Sequence, residues 1–363
     1  MLASDFSFDL PPELIAQTPA SPRDSARLLR LQRASGNLEH LRFDALAEIL
    51  RPDDLLVLND TRVLRARLRG WKIGEQGERG ARVEALLLRE RETNLWEALL
   101  RPSARLRVGS TLRFCSPDEQ LSLDARPVER TDGGWIIRFD SRGDVREFLD
   151  QLGEVPLPPY IAPPKEDAKS DYQTVYARAD HELESAAAPT AGLHFTPRVL
   201  QALGERGIRC AHVTLGIGIG TFRPIQTETI EEHAMHGENW EISAHAARMI
   251  NAQKRRGARV VAIGTTATRV LESAVDENGT VAAGNGRTEI YIRPGHRFRV
   301  VDAMLTNFHL PRSSLLVMIA AFAQHGMQGA DAMAGLEQIR YAYSAAIAAR
   351  YRFFSFGDAM LIE

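Results

Sequence analysis

Residues 196–220, TPRVLQALGERGIRCAHVTLGIGIG, contain one full turn of the alternation that decides the fold. Thr196 before Pro197 reads as an N-cap followed by proline at the first helical position, and Val199, Leu200 and Leu203 supply an apolar face. Gly207 ends that helix, and Ile208–Leu215 reads as a strand. Gly216, Gly218 and Gly220 then break the strand into a loop where the backbone can approach a ligand closely or take positive φ. The unit repeats downstream. Ser243 caps a helix running to about Arg256, Gly257 closes it, Arg259–Ile263 is a strand, and Gly264-Thr265-Thr266 leads into another helix. Phe298–Leu305 is expected as a strand, Thr306–Pro311 as a loop, Ser313–Ala323 and Leu336–Tyr351 as helices, and Phe353–Ile362 as a closing strand. This alternation predicts a mainly parallel sheet flanked by helices, with ligand-bearing loops gathered at one sheet edge.

Upstream, Pro11, Pro12 and Glu13 suit a short helix start, and Phe43, Leu46, Ala47 and Leu50 follow helical spacing up to Pro52. Leu55–Leu58 is a continuous apolar run, as a strand buried on both faces requires, and Asn59, Asp60, Thr61 and Arg62 stand at its carboxyl end. The texture then changes. Arg67–Ile73, Arg82–Arg89, Leu95–Leu100, Thr111–Phe114, Leu121–Val128 and Trp135–Phe139 are short candidate strands separated by glycines and polar turns, the signature of a small antiparallel barrel or sandwich. The fold expected is therefore α/β: a larger, discontinuous domain from residues 1–64 and 151–363, with an inserted β-barrel domain at 65–150. Asp144–Leu152 returns to helix, and prolines between 156 and 164 form a stiff connection.

At 363 residues the chain can bury two cores, and 44% hydrophobic with 25% charged residues is an ordinary globular balance. A net charge of −2 excludes a global basic field, so any nucleic-acid surface must be a local patch. Cys115 and Cys210 lack metal-ligand spacing and form no disulfide framework. The opening MLASDFSFDLPPEL has no basic start or apolar core of a secretory leader, and the longest apolar stretch, Leu315–Ala323, is too short to span a bilayer. The expectation is a cytoplasmic protein without membrane attachment.

Several loops could carry chemistry. Glu231, Glu232, His233, His236 and Glu238 form the densest set of groups able to move protons near neutrality. The set could suggest zinc, but it follows a loop and lacks cysteine, so acid–base use ranks above metal binding. Pro189-Thr190-Ala191-Gly192-Leu193-His194-Phe195-Thr196 places small residues, two hydroxyls and a histidine before a helix N-terminus, where an anionic or carbonyl oxygen could be held. Gly264-Thr265-Thr266 lacks the glycine spacing of phosphate-binding loops. Asn307 and His309 flank Phe308 and could read and stack on a base. Against each stands a plain alternative: a capped helix, a solvated turn, or core packing.

Ten blocks lift the reading beyond physics. DFSFDLPPELIAQTP, LLVLNDTRVLRARL, LPPYI, YQTVYA, AAPTAGLHFT, GTFRPI, EEHAMHGE, VVAIGTTATRVLES, VDAMLTNFHLP and YRFFSFGDAMLI occur in this order from Asp5 to Ile362. Together they resemble the S-adenosylmethionine:tRNA ribosyltransferase-isomerase family of queuosine biosynthesis. The resemblance implies transfer and isomerisation of the ribosyl part of S-adenosylmethionine onto 7-aminomethyl-7-deazaguanine at the tRNA wobble position. Epoxyqueuosine forms, and adenine and methionine leave. It also implies a monomer with a β-barrel insertion. S-adenosylmethionine is consumed as substrate, so no separate cofactor and no metal are expected.

On this resemblance His194, Glu232, His233 and His236 are the candidate proton-transfer groups. Pro189, Thr190, Ala191, Gly192, Phe195, Thr196, Gly218, Gly220, Thr221, Gly264, Thr265 and Thr266 would shape the S-adenosylmethionine pocket. Asn307 and His309 would meet a base, and Arg62 and Arg223 would bind phosphate or the methionine carboxylate. The alternatives are an S-adenosylmethionine-dependent RNA methyltransferase and a non-catalytic RNA-binding relative. Two positions depart from the family pattern: TLHVGxGTF becomes Thr214–Phe222 with Gly216 at the histidine, and a glycine-serine pair before AAPTAG becomes Glu184-Ser185.

Overall fold

The computed structural model describes residues 1–131, 133–158, 160–161, 171–178, 184–218, 224–327 and 331–363. Two compact units divide the chain. One takes in Met1–Arg62, Tyr160, Ile161 and the described residues from 171 onward, and the other contains Val63–Pro158.

The larger unit is built on a nine-stranded sheet. Its order is Gly284–Thr288, Glu238–Ile242, Arg209–Leu215, Leu55–Asn59, Val260–Ile263, Ala303–Asn307, Ala359–Ile362, Arg27–Leu31 and Leu38–Arg42. Leu55–Asn59 runs parallel to both Arg209–Leu215 and Val260–Ile263, and Val260–Ile263 runs parallel to Ala303–Asn307. Ala359–Ile362 is antiparallel to Ala303–Asn307 but parallel to Arg27–Leu31, and the outer strands pair antiparallel. The sheet is therefore mixed, with its parallel run at the centre.

The central strand shows why the residues fold this way. All five residues of Leu55–Asn59 are buried, Leu55 and Val57 in one apolar cluster and Leu56 and Leu58 in the other. Successive side chains point to opposite faces, so only a continuous apolar run can serve a strand covered on both sides. Val199 and Leu203 of helix Pro197–Glu205 cover the face of Leu56 and Leu58. Helices Ala244–Arg255, Gly264–Ala274, Ser314–Gln324 and Ala334–Ala348 contribute to the cluster on the other face. Each fully buried leucine contributes roughly 1.5–3 kcal/mol.

Some elements differ from expectation. The strand expected at Phe298–Leu305 begins at Ala303; Phe298, Val300 and Val301 are buried in a loop, so their apolar pattern reports core contact without a ladder. The strand expected at Phe353–Ile362 is confined to Ala359–Ile362.

The smaller unit is a closed antiparallel barrel of six strands: Arg67–Ile73, Arg79–Glu92, Leu95–Arg101, Gly134–Phe139, Ser122–Thr131 and Thr111–Cys115, the last pairing back to the first. Closure leaves no open edge for pairing with another chain. Leu68, Val83, Trp96, Leu112, Phe114, Trp135 and Ile137 fill its interior. Gly70 sits where a Cβ would lie 2.0 Å from the Arg113 carbonyl oxygen, so glycine permits the closing contact. The unit also takes in the two-residue strand Gly153–Glu154, paired with Arg67–Ile73, which spacing had placed in the α/β part.

Candidate functional site

Because Arg209–Leu215, Leu55–Asn59, Val260–Ile263 and Ala303–Asn307 are mutually parallel, the loops after them leave from one edge. The segments that leave there carry Asp60–Thr61, Gly216–Gly218 and Phe308–Leu310, and after Val260–Ile263 the chain enters helix Gly264–Ala274 directly, so Gly264–Thr266 is its first turn and not a loop.

Hydrogen bonds tie the first two loops to the segment before the APTAG motif. Asn59 Oδ1 accepts from the backbone N–H of Leu215 (3.0 Å) and Thr61 (3.2 Å). Ser185 Oγ accepts from Ile217 N–H (2.8 Å) and lies 2.7 Å from Thr61 Oγ1. Ser185, the retained half of the altered glycine-serine pair, thus holds the start of the glycine loop. Gly216, which stands at the family's histidine, donates its N–H to the Asn239 carbonyl at 2.9 Å.

Gly218 is held differently. Its N–H donates to Glu238 Oε1 at 3.0 Å, and Glu238 Oε2 is paired with Arg269 Nη1. Glu238 is 6% exposed and Arg269 is 2% exposed, which makes this a buried ion pair. Among the described residues the Nε and Nη2 groups of Arg269 have no hydrogen-bond partner. Spacing did not identify Arg269. The available signal was a lone arginine between Thr268 and Val270 on a helix whose neighbours are all buried.

Thr190–His194 forms a short 3-10 helix beside these loops. Thr190 Oγ1 donates to Asn307 Oδ1 at 2.9 Å, and Asn307 Nδ2 donates to the Phe354 carbonyl at 3.3 Å. Gly264 holds φ of +90°, and a Cβ there would lie 3.5 Å from Ala191 Cβ. Thr190, Asn307 and His309 line one cavity, closed on one side by Tyr160 stacked on Phe354 at 4.5 Å. Phe354 has φ of +71°, a left-handed conformation that costs a non-glycine residue energy and concentrates at functional loops. Thr265 and Thr266 are buried, and Thr266 Oγ1 has no partner among the described residues.

Other expected site residues are not among those that line this cavity. His194 is 4% exposed and stacks on Phe43, with its ring nitrogens 2.9 Å from the Gly357 carbonyl and 3.2 Å from that of Ala191. Burial pushes its pKa down, against the upward pull of those two carbonyls. Phe195 is in the core. Pro189 precedes the 3-10 helix. A Cβ on Gly192 would meet Tyr176 Oη at 2.0 Å, so this glycine admits the tyrosine hydroxyl. Thr196 caps helix Pro197–Glu205 by accepting from Val199 N–H at 3.3 Å, and it donates to Asp24 Oδ2 at 2.5 Å. Arg62 is half-buried and starts a two-residue strand.

His309 is buried, with Nε2 2.8 Å from Thr306 Oγ1 and its backbone N–H donating to the Tyr343 hydroxyl. Burial pushes its pKa down to about 3, so it is neutral at ordinary pH. Among the described residues the Thr190–Asn307–His309 cavity takes no lining from Glu232, His233 or His236. His233 packs edge-on to Tyr291 and is half-buried, its pKa lowered first by burial and then by neighbouring His236. Glu232 and His236 are exposed, and Glu232 accepts weakly from Thr229 N–H. Glu238, expected as the end of this polar cluster, opens the strand Glu238–Ile242, which is paired on both sides. Gly220, Thr221 and Arg223 lie outside the described residues. No group of three or more His, Cys, Asp or Glu among the described residues is placed to hold a metal, and no helix there is long and apolar enough to cross a membrane.

A parallel strand core whose following segments leave from one sheet edge, interrupted in sequence after its first central strand by a closed barrel, defines a two-unit α/β enzyme. The chain belongs to the queuosine biosynthesis family, whose model, described as queuosine biosynthesis protein, matches residues 3–362. It is 46% identical over the whole of both chains to a Desulfitobacterium hafniense protein named S-adenosylmethionine:tRNA ribosyltransferase-isomerase. A Moorella thermoacetica protein of the same name is 48% identical, again over 100% of each. The crystal structure of S-adenosylmethionine tRNA ribosyltransferase from Thermotoga maritima matches with a TM-score of 0.54 and 34% identity, covering 99% of this chain and 100% of that one.

Proposed function

We propose that this enzyme transfers the ribosyl part of S-adenosylmethionine to 7-aminomethyl-7-deazaguanine at the wobble position of tRNA. The transferred ribose isomerises to an epoxycyclopentanediol, giving epoxyqueuosine, adenine and methionine. Full-length similarity to relatives named for this reaction supports the reading. The structural observation that carries it is the convergence of Thr190, Asn307, Gly264–Thr266 and the Gly218–Glu238–Arg269 chain at one sheet edge.

The chemistry needs few groups. The sulfonium acidifies the adjacent 5′ carbon, and a base removes that proton. Adenine leaves as a neutral base once a ring nitrogen is protonated, and the aminomethyl nitrogen attacks only in its uncharged form. In this reading Thr190, Thr265 and Thr266 shape the S-adenosylmethionine pocket with the glycine loop, and Asn307 faces a base. Glu232, His233 and His236 supply proton transfers when the substrates are bound. His194 donates from one ring nitrogen to a backbone carbonyl, that of Gly357 or Ala191, and helps hold the loop in place. Arg62 and Arg223 take phosphate or the methionine carboxylate. S-adenosylmethionine is consumed, so the reaction calls for no separate cofactor or metal. The enzyme acts as a cytoplasmic monomer on tRNA.

The test is chromatographic: protein, S-adenosylmethionine and tRNA bearing the modified base should release adenine and methionine in equal amounts, only when the RNA is present. Release of S-adenosylhomocysteine instead would turn the reading toward methyl transfer.

A further inference from the structure

A second pocket, of about 470 Å³, lies in the larger unit outside the Thr190–Asn307–His309 cavity. It lies within the volume range that small-ligand sites occupy. Asp60, Tyr176, His212, Thr214, Glu241 and His245 are among its lining residues. Its origin is legible in the sheet. Arg209–Leu215 pairs with Glu238–Ile242 only at Thr214↔Glu241 and Leu215↔Trp240. The two strands then part, leaving the edge at Cys210 and His212 open below the N-terminus of helix Ala244–Arg255.

Asp60 is the informative residue. It follows the central strand Leu55–Asn59 and is 1% exposed. Thr214 Oγ1 donates to its Oδ1 at 2.7 Å, whereas Oδ2 has no hydrogen-bond partner among the described residues. Arg178 Nη1 is 3.9 Å from that oxygen, which gives charge compensation at a distance beyond hydrogen bonding. A buried carboxylate oxygen without a donor is costly unless a ligand supplies one. Beside it, Tyr176 and His212 form an aromatic wall with ring centroids 6.0 Å apart. His212 faces outward on its strand; the partial desolvation it meets there lowers its pKa, with Asp60 opposing and Arg178 reinforcing that shift. The pocket's histidines and carboxylates do not converge as a metal site among the described residues.

We infer that this pocket receives a guanine-type base extruded from single-stranded RNA, with Asp60 accepting from its N1–H and 2-amino group and the Tyr176–His212 wall taking its face. A carboxylate suits this edge because guanine offers two adjacent donors there, whereas adenine offers an acceptor at N1. Proteins that act on a base inside RNA take it out of the stack and read its Watson–Crick edge. The inference rests on the proposed reaction for the identity of the RNA and adds where its acceptor base is bound.

The experiment measures fluorescence anisotropy of the full chain binding an anticodon stem–loop with guanine, or with hypoxanthine, at the wobble position. Hypoxanthine lacks only the 2-amino group. Wild-type protein should bind the guanine RNA roughly tenfold more tightly, a discrimination typical of one good donor–acceptor contact to a base edge. Asp60→Asn should abolish that preference. His212→Ala should weaken both RNAs by a similar factor, about fivefold or more, through loss of stacking. Equal binding of the two RNAs by wild-type protein, or a preference that survives Asp60→Asn, overturns the proposal; so does an absence of RNA binding. If Asp60→Asn does not fold, the wild-type preference and the uniform His212→Ala loss decide it. Product formation by the wild-type enzyme is scored separately, so an active enzyme without the base preference refutes the pocket while leaving the reaction in place.

Discussion

Replacing Glu238 with glutamine isolates the charge of one side chain. The amide keeps an oxygen that can accept from Gly218 N–H, but it leaves Arg269 without its counter-ion. Arg269 is 2% exposed, and neither Nε nor Nη2 has another partner among the described residues. Breaking a buried ion pair by removing one partner costs about 3–5 kcal/mol, because an uncompensated charge stays out of water. For a unit of this size each kcal/mol moves the melting temperature by about 2–4 °C, so Glu238→Gln should lower it by roughly 6–20 °C. The double replacement Glu238→Gln with Arg269→Gln removes the stranded charge and should recover part of the loss, with a coupling of about 1–3 kcal/mol. Scanning calorimetry is the assay, since it resolves the α/β unit, which holds both residues, from the barrel. A Glu238→Gln melting temperature within about 2 °C of wild type, or strictly additive single and double variants, would refute the buried pair as an anchor of the glycine loop.

Three further outcomes follow from the packing. Gly192→Ala should destabilise by about 1–3 kcal/mol through overpacking against Tyr176 Oη, and Tyr176→Phe in the same chain should restore part of it, as read by chemical denaturation. Thr196→Ala removes a helix cap and a donor to buried Asp24, and should cost about 1–2 kcal/mol in the same assay. His309 has its folded pKa pushed down to about 3 by burial, so the unfolded chain binds the extra proton first. Its contribution is full above pH 6.5 and is lost progressively as pH falls toward 3. His309→Asn should therefore flatten the acid side of the stability–pH curve, and an unchanged acid slope would show that the imidazole is not held neutral.

Much of the scaffold was legible because local pattern and burial coincide. Leu55–Leu58 is apolar at every position, and both faces of that strand are covered. The six barrel strands announce themselves as short runs between glycines and polar turns, and Thr196-Pro197 marks a helix start that the structure uses. The antiparallel strands at one side of the sheet were less readable. Gly284–Thr288 is GNGRT, with too little apolar content to signal a strand, and Glu238–Ile242 begins with a carboxylate whose partner is 31 residues away.

The candidate site divides along the same line. Thr190, Asn307 and His309 stand out by their loop positions in the sequence, and the structure brings them to one cavity. The roles of Gly192 and Thr196 follow from neighbours remote in sequence, Tyr176 and Asp24, and spacing could not supply those. Asp60 is visible in the sequence as a polar residue at a strand end. Its oxygen without a hydrogen-bond donor among the described residues, and its aromatic neighbours, are properties of the folded chain alone.

The most direct test of the proposed reaction is nucleoside mass spectrometry after incubation of the enzyme with S-adenosylmethionine and tRNA carrying 7-aminomethyl-7-deazaguanine at the wobble position. Epoxyqueuosine should appear in step with adenine release. A methylated nucleoside with S-adenosylhomocysteine, or unchanged tRNA under conditions where the Moorella thermoacetica relative forms product, would contradict it.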